Sequence, residues 1–165
     1  MIRFKVKVPR AKFNSSSFVS EMRNMGNELA KRVDETYKNE VMASWDKQIP
    51  FVKDVSATQK LTKVEVKTGV EFYRYLTRGT DKKDYPIPLT PGFLRYQVDF
   101  TPKTTVGSLR STPGGKSGPY ITKTQVTHPG VEAREYEKLI IEEQTPWIVE
   151  YFTDILRSSI KVSND

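Results

Sequence analysis

Cysteine is absent from this chain of 165 residues, and histidine occurs once, at His128. No disulfide or thiolate chemistry is open to it, and zinc, which is held by sets of Cys, His and carboxylate at matched spacing, is nearly excluded. The lack of cysteine fits folding in a reducing cytoplasm. No run of 18 apolar residues occurs, so no segment reads as a membrane helix. The N-terminus lacks the continuous apolar stretch of a secretory segment. Instead Ile2, Phe4, Val6 and Val8 alternate with Arg3, Lys5 and Lys7, the period of a half-buried strand.

Acidic residues are missing from two stretches. Residues 1–14 hold five basic residues and no acid, Thr101–His128 holds four and no acid, and Pro129–Asp165 holds eight acids against four basic residues. The net charge of +7 is therefore unevenly distributed, as suits a protein that meets copies of itself or charged neighbours, although ordinary solvated faces have the same look. The length points to a single domain over residues 1–165, able to bury roughly 68–70% of its unfolded surface without metal or disulfide.

Apolar periodicity divides the chain. Phe18, Met22, Met25, Leu29, Val33, Tyr37, Val41 and Trp45 fall at three- and four-residue steps. They predict a long N-terminal helix from about Ser15 to Trp45, capped by the serines at 15–17, with Gly26 as a point of bending. Residues 48–60 read as a loop or short strand. Thr62, Val64 and Val66 alternate with lysine and glutamate, and with the turn at Thr68-Gly69 and the aromatic run 70–77 they predict a β-hairpin. Prolines 86, 88 and 91 mark 81–92 as a connection. Leu94, Tyr96, Val98 and Phe100 predict a strand. Gly107–Pro119 has four glycines, two prolines and almost nothing to bury, so it reads as the long mobile loop of a hairpin that returns through 120–126. His128-Pro129-Gly130 reads as a turn and 133–144 as a short helix. Thr145-Pro146 reads as the start of a closing helix with Val149, Phe152, Leu156 and Ile160 as its buried stripe. Residues 162–165 read as a disordered tail. Leu29, Trp45, Phe152 and Leu156 are the expected core. The fold class is α+β, a mainly antiparallel sheet with the N-terminal and C-terminal helices packed on one face.

Catalytic chemistry does not emerge from these patterns. Glu142 and Glu143 are adjacent in a helix and diverge in direction. Gly114-Gly115-Lys116 is too short for a phosphate-cradling loop and does not lead into an apolar helix. No catalytic, metal or cofactor residue is assigned, and an enzyme such as a small nuclease is the least favoured class. Tyr73, Arg74, Tyr75 and Arg78 resemble the aromatic–basic footprint of a nucleic-acid groove, but alternating aromatic and basic residues also occur on ordinary half-exposed strands. A small basic nucleic-acid-binding protein therefore stays open as an alternative.

Two short motifs carry a family resemblance. One is the aromatic run closing on Gly-Thr, Phe72-Tyr-Arg-Tyr-Leu-Thr-Arg-Gly79-Thr80; the other is Val126-Thr-His128-Pro129-Gly130-Val-Glu-Ala133-Arg134-Glu-Tyr136. In their order, after a helix and before a closing helix, they resemble the tail-completion and head–tail joining proteins of long-tailed bacteriophages, over roughly Phe18 to Ile160. Arg78 stands where that family often has an acid. The resemblance implies a structural protein of the virion neck or upper tail, a ring of six copies that completes the tail and joins it to the DNA-filled head. It implies head-connector and tail-tube or tail-terminator proteins as partners, at most non-specific DNA contact, no cofactor, and a passage from host cytoplasm to virion. Arg110, Lys116, Arg3, Lys5, Lys7 and Arg78 are the candidate partner contacts. Gly79, Thr80, His128, Pro129 and Gly130 form the structural motif.

Overall fold

A computed structural model of the chain describes residues 1–7, 15–81, 83–85, 94–123, 126–128 and 130–161. The expected features at 9–14 and 86–92, Pro129 and the tail 162–165 lie outside them. The fold is α+β, with a three-stranded antiparallel sheet and three α-helices among the described residues. The chain forms two compact units: Met1–Lys38 with Pro50–Gly69 and Glu137–Asp165, and Asn39–Ile49 with Val70–Tyr136.

In the first unit, β1 (Ile2–Lys7), β2 (Val52–Ala57) and β3 (Leu61–Lys67) pair in the order β1-β3-β2. The register sets Ile2 opposite Val66, Phe4 opposite Val64, and Val55 also opposite Val64. Because side chains alternate across a strand, one sheet face is apolar and the other carries Arg3, Lys5, Lys63, Glu65 and Lys67. The N-terminal alternation is thus a strand, as expected. The hairpin is not: β3 takes its partners from β1 and β2, and 70–77 does not return beside it.

Helix α1 (Ser15–Thr36) continues into a π turn over Tyr37–Val41, four residues short of Trp45. Phe18, Met22, Met25, Leu29 and Val33 of its stripe are all buried. Gly26 brings the helix close to the sheet. A Cβ there would lie 2.7 Å from Val55 Cγ1 and 3.3 Å from Thr62 Cγ2 and Val64 Cγ2. About two turns past that contact, Asp34 is buried and takes hydrogen bonds from Lys38 Nζ at 2.7 Å and from Lys53 Nζ of β2 at 3.1 Å. Burial alone would raise the Asp34 pKa, but the two ammonium groups outweigh it and hold the carboxyl below its ordinary range.

Helix α3 runs unbroken over Tyr136–Lys161 with Pro146 inside it. This corrects the division into a short helix and a second helix starting at Thr145-Pro146. Buried Ile140, Gln144, Ile148 and Ile155 form one stripe across the proline, and Pro146 is exposed, so the hydrogen bond lost to its missing N–H falls on the solvent side. Thr145 Oγ1 meanwhile donates to the Ile141 carbonyl at 2.6 Å. The longer helix shifts the buried phase. Val149 is 59% exposed instead of buried. Phe152 and Leu156 are half-buried against the cluster of Phe18, Met22, Met25 and Ile155. Of the expected core, Leu29 is fully buried and Trp45 is half-buried.

In the second unit the aromatic run is a helix, α2 (Glu71–Arg78), in place of the predicted strand. Its Tyr73 and Thr77 are buried one turn apart, and Glu71 at its start and Arg78 at its end match the helix dipole. The short strands β4 (Lys83–Tyr85), β5 (Leu94–Gln97), β6 (Phe100–Thr101), β7 (Gly115–Lys116), β8 (Tyr120–Lys123) and β9 (Val126–His128) form three antiparallel pairs, β4-β9, β5-β8 and β6-β7. The predicted 94–100 strand breaks at Asp99, which has a φ of 55°.

Composition reads Gly107–Pro119 as a mobile loop, and in the structure several of its backbone groups are paired. Ser111 N–H donates to the Glu40 carbonyl at 2.9 Å, Thr112 N–H to the Lys103 carbonyl at 2.8 Å, and Gly118 N–H to the Val98 carbonyl at 3.1 Å. Ser44 N–H donates to Ser111 Oγ at 3.0 Å. The segment has few side chains to bury, and its backbone groups find partners within the fold instead.

Two outcomes are expected. Gly26→Ala should gain helix propensity of about 1 kcal/mol yet lose about 1–3 kcal/mol to overpacking against Val55, for a net destabilisation in urea titration; a stabilised variant would show that the sheet yields. Asp34→Asn should cost about 1 kcal/mol at neutral pH, the two lysines being partly exposed. A carboxyl with a depressed folded-state pKa contributes stability above its unfolded pKa and loses it as pH falls through the folded one. The stabilities of wild type and variant should therefore converge on acidification below the ordinary aspartate range.

Candidate functional site

The two sequence motifs, distant along the chain, meet in the second unit. Gly79 ends α2 at φ 74° and ψ 175°, a conformation open essentially only to glycine. Thr80 N–H then donates to the Val131 carbonyl at 2.8 Å, and Val131 N–H donates back to the Thr80 carbonyl and to Thr80 Oγ1, both at 3.1 Å. Beyond this bridge Lys83 stands opposite His128 in the β4-β9 ladder. Behind it, Arg134 N–H donates to the Leu76 carbonyl at 3.0 Å and Glu135 N–H to the Thr77 carbonyl at 3.2 Å. The last carbonyls of α2, which have no partner within a helix, are therefore capped by the segment that follows Gly130. Gly130 itself has a φ of 84°.

This clamp fixes one wall of an apolar groove with a volume of about 840 Å³. Phe72 and Leu76, one turn apart on α2, line it together with Trp45, Phe100, Pro102 and Val131. The Trp45 ring meets Phe72 at 5.5 Å. Phe72 is 47% exposed and Phe100 63%, large values for aromatic rings, and their adjacency makes an apolar patch of the kind that binds a partner. Charge stands around the groove. Lys103 Nζ lies 3.4 Å from Asp46 Oδ1, and Arg134 Nε donates to Thr104 Oγ1 at 3.2 Å. Next to them Tyr136 is buried, and burial pushes its phenol up, with Thr104 and Arg134 pulling the other way. Among the described residues no group of three or more His, Asp or Glu is placed to hold a metal ion.

The candidate cations do not form this site. Arg78 is exposed at the end of α2, Arg110 on the 107–119 segment and Lys116 on β7; none of them lines the groove. On the first unit's sheet Arg3 donates to Glu65 at 2.8 Å and Lys5 is exposed. Lys7 lies in β1, its side chain outside the described residues. The groove residues Trp45, Phe72, Phe100 and Arg134 were not singled out as a site by sequence reasoning. The available signal was the i, i+4 pair Phe72 and Leu76, bounded by Glu71, Arg78 and Gly79, which reads as a helix once its ends are recognised.

Comparison of the chain with protein-family models, with characterised proteins and with solved structures finds no match. No helix among the described residues is long and apolar enough to cross a membrane.

Gly79→Val should unfold this unit. Its Cβ would lie 2.6 Å from the Val131 carbonyl oxygen and 2.9 Å from the Ala133 nitrogen, both backbone atoms. A destabilisation of about 3 kcal/mol or more is expected from strain and clash together, read as loss of the thermal transition. A variant that melts like the wild type would deny the clamp its structural role.

Proposed function

We propose that the chain is a structural component of the neck or upper tail of a long-tailed bacteriophage, forming a ring that completes the tail and permits joining to the DNA-filled head. The observation that carries this reading is the meeting of its two resemblance motifs: Gly79-Thr80 and the residues after His128-Pro129-Gly130 bond to one another across the Thr80–Val131 bridge. The α+β fold, with a three-stranded antiparallel sheet and three helices among the described residues, is compatible with the order that the resemblance implies. The work of such a protein is binding. The exposed Phe72 and Phe100 of the groove supply apolar contact area, and Arg110 and Lys116 on the 107–119 segment supply charge. Binding loops carried on a scaffold are a usual arrangement. In this reading the ring has six copies and its neighbours are connector and tail-tube or tail-terminator proteins. It uses no catalysis and no cofactor, and it passes from host cytoplasm into the virion.

One observation favours the alternative, a small nucleic-acid-binding protein. Tyr120 is 61% exposed with the Arg95 guanidinium 5.0 Å from its ring centroid, a pairing on which a base can stack. A chain of net charge +7 binds DNA at low salt in either reading. Sequence-preferring affinity that persists at about 0.15 M salt would favour this alternative.

The test of the neck reading is complementation of a phage lacking the gene. Arg110→Ala with Lys116→Ala removes two exposed side chains and leaves the backbone bonds of the segment in place. The double variant should melt within a few degrees of wild type and lower the infectious titre at least about tenfold. Full infectivity would remove this segment from the contact surface.

A further inference from the structure

We propose that the outer face of the β1-β3-β2 sheet receives helix α3 of a second copy of the chain, and that this is the contact joining neighbours in the ring; the inference rests on the assembly reading above. The sheet face turned away from α1 carries Arg3 and Lys5 from β1, Lys63, Glu65 and Lys67 from β3, and Val52, Asp54 and Ser56 from β2, as the register requires. Glu65 is shared by Arg3 at 2.8 Å and Lys63 at 3.0 Å, and the two ammonium and guanidinium partners hold its carboxyl below the ordinary range. Lys5 and Lys67 are exposed with no acidic partner among the described residues, and Val52, directly opposite Lys67, is 62% exposed.

The solvent side of α3 has the complementary pattern. Glu142 and Glu150 are exposed with no cationic partner among the described residues, and Val149 between them is 59% exposed. These positions lie seven and eight residues apart, on one helix face. The spacings also match. From Glu142 to Glu150 a helix rises about 12 Å. Lys5 stands opposite Lys63, and four residues of β3 separate Lys63 from Lys67, about 14 Å along the strand. On the sheet, the exposed valine sits beside the Lys67 end; on the helix, it sits beside the Glu150 end. A helix laid along β3 therefore sets Glu150 at Lys67, Val149 at Val52 and Glu142 at Lys5 in one arrangement. Each copy offers one such sheet and one such helix, two different surfaces. The contact is heterologous, and heterologous contacts propagate into a ring when the rotation closes.

The experiment is a charge swap on the full chain, read as mass by sedimentation at low and at high salt, about 0.05 and about 0.5 M. Lys5→Glu with Lys67→Glu reverses the sheet, and Glu142→Lys with Glu150→Lys reverses the helix. All four side chains are exposed, and circular dichroism should show both variants folded. Wild-type self-association should weaken at high salt. Each variant alone should associate at least about tenfold more weakly than wild type at low salt. An equimolar mixture should recover it, because each variant's reversed surface then meets the opposite charge on the other. Val149→Asp, which leaves the lysines and glutamates in place, should weaken association at both salt concentrations. Association unaffected by either reversal, a mixture that stays dissociated, or a wild-type chain that never associates overturns this contact. None of these outcomes bears on the complementation of a phage lacking the gene, which tests the neck reading separately.

Discussion

The distance between α1 and the sheet at Gly26 is the constraint on which the first unit depends. A hydrogen at that position lets Val55, Thr62 and Val64 reach the helix backbone. With the axis drawn in, Met22, Met25 and Leu29 fill the space on either side to near-complete burial. The cost of glycine in a helix, about 1 kcal/mol, is small beside the burial of several large side chains at roughly 2 kcal/mol each. The same approach brings Lys53 of β2 to Asp34, so a buried carboxylate is neutralised by a strand that the glycine allowed in.

The second unit is held together differently. Its strands are two to four residues long among the described residues, and few of the apolar side chains described there are buried. Backbone pairing takes the larger share: the Thr80–Val131 bridge, the capping of α2 by Arg134 and Glu135, and the bonds along Gly107–Pro119. A unit built on backbone pairing can leave Phe72 and Phe100 partly in water. In the proposed assembly reading that is what a contact surface requires, and there the motif glycines act by supporting the groove.

Charge follows the same division of labour. Within the first unit, Glu65 and Asp34 sit among cations and are satisfied, whereas Lys5, Lys67, Glu142 and Glu150 are left open on two faces. Exposed unpaired charges of opposite sign add little to the stability of one chain, since solvent screens them. They steer and orient an encounter between chains far more effectively. The uneven distribution of acids along the sequence acquires a physical meaning at that level.

What the sequence determined by itself was the set of features that depend on local period and composition. The strand at Ile2–Lys7, the buried face of α1 through Val33, the strand at Leu61–Lys67 and the glycine conformations at Gly79 and Gly130 were all legible in it, because alternation, a 3.6-residue repeat and turn chemistry are properties of neighbouring residues. Tertiary structure decided the rest. Phe72–Thr77 has the composition of a strand, but capping of its carbonyls by Arg134 and Glu135 and burial of Tyr73 and Thr77 make it a helix. Pro146 reads as a beginning, yet the stripe from Ile140 to Ile155 carries the helix through it. Gly107–Pro119 reads as free because composition counts side chains, whereas the partners of its amides, Glu40 and Val98 among them, are known only once the chain has folded. The groove was hidden for the same reason. Trp45, Phe72, Phe100 and Arg134 lie far apart in the chain, and long-range backbone pairing is what sets them side by side.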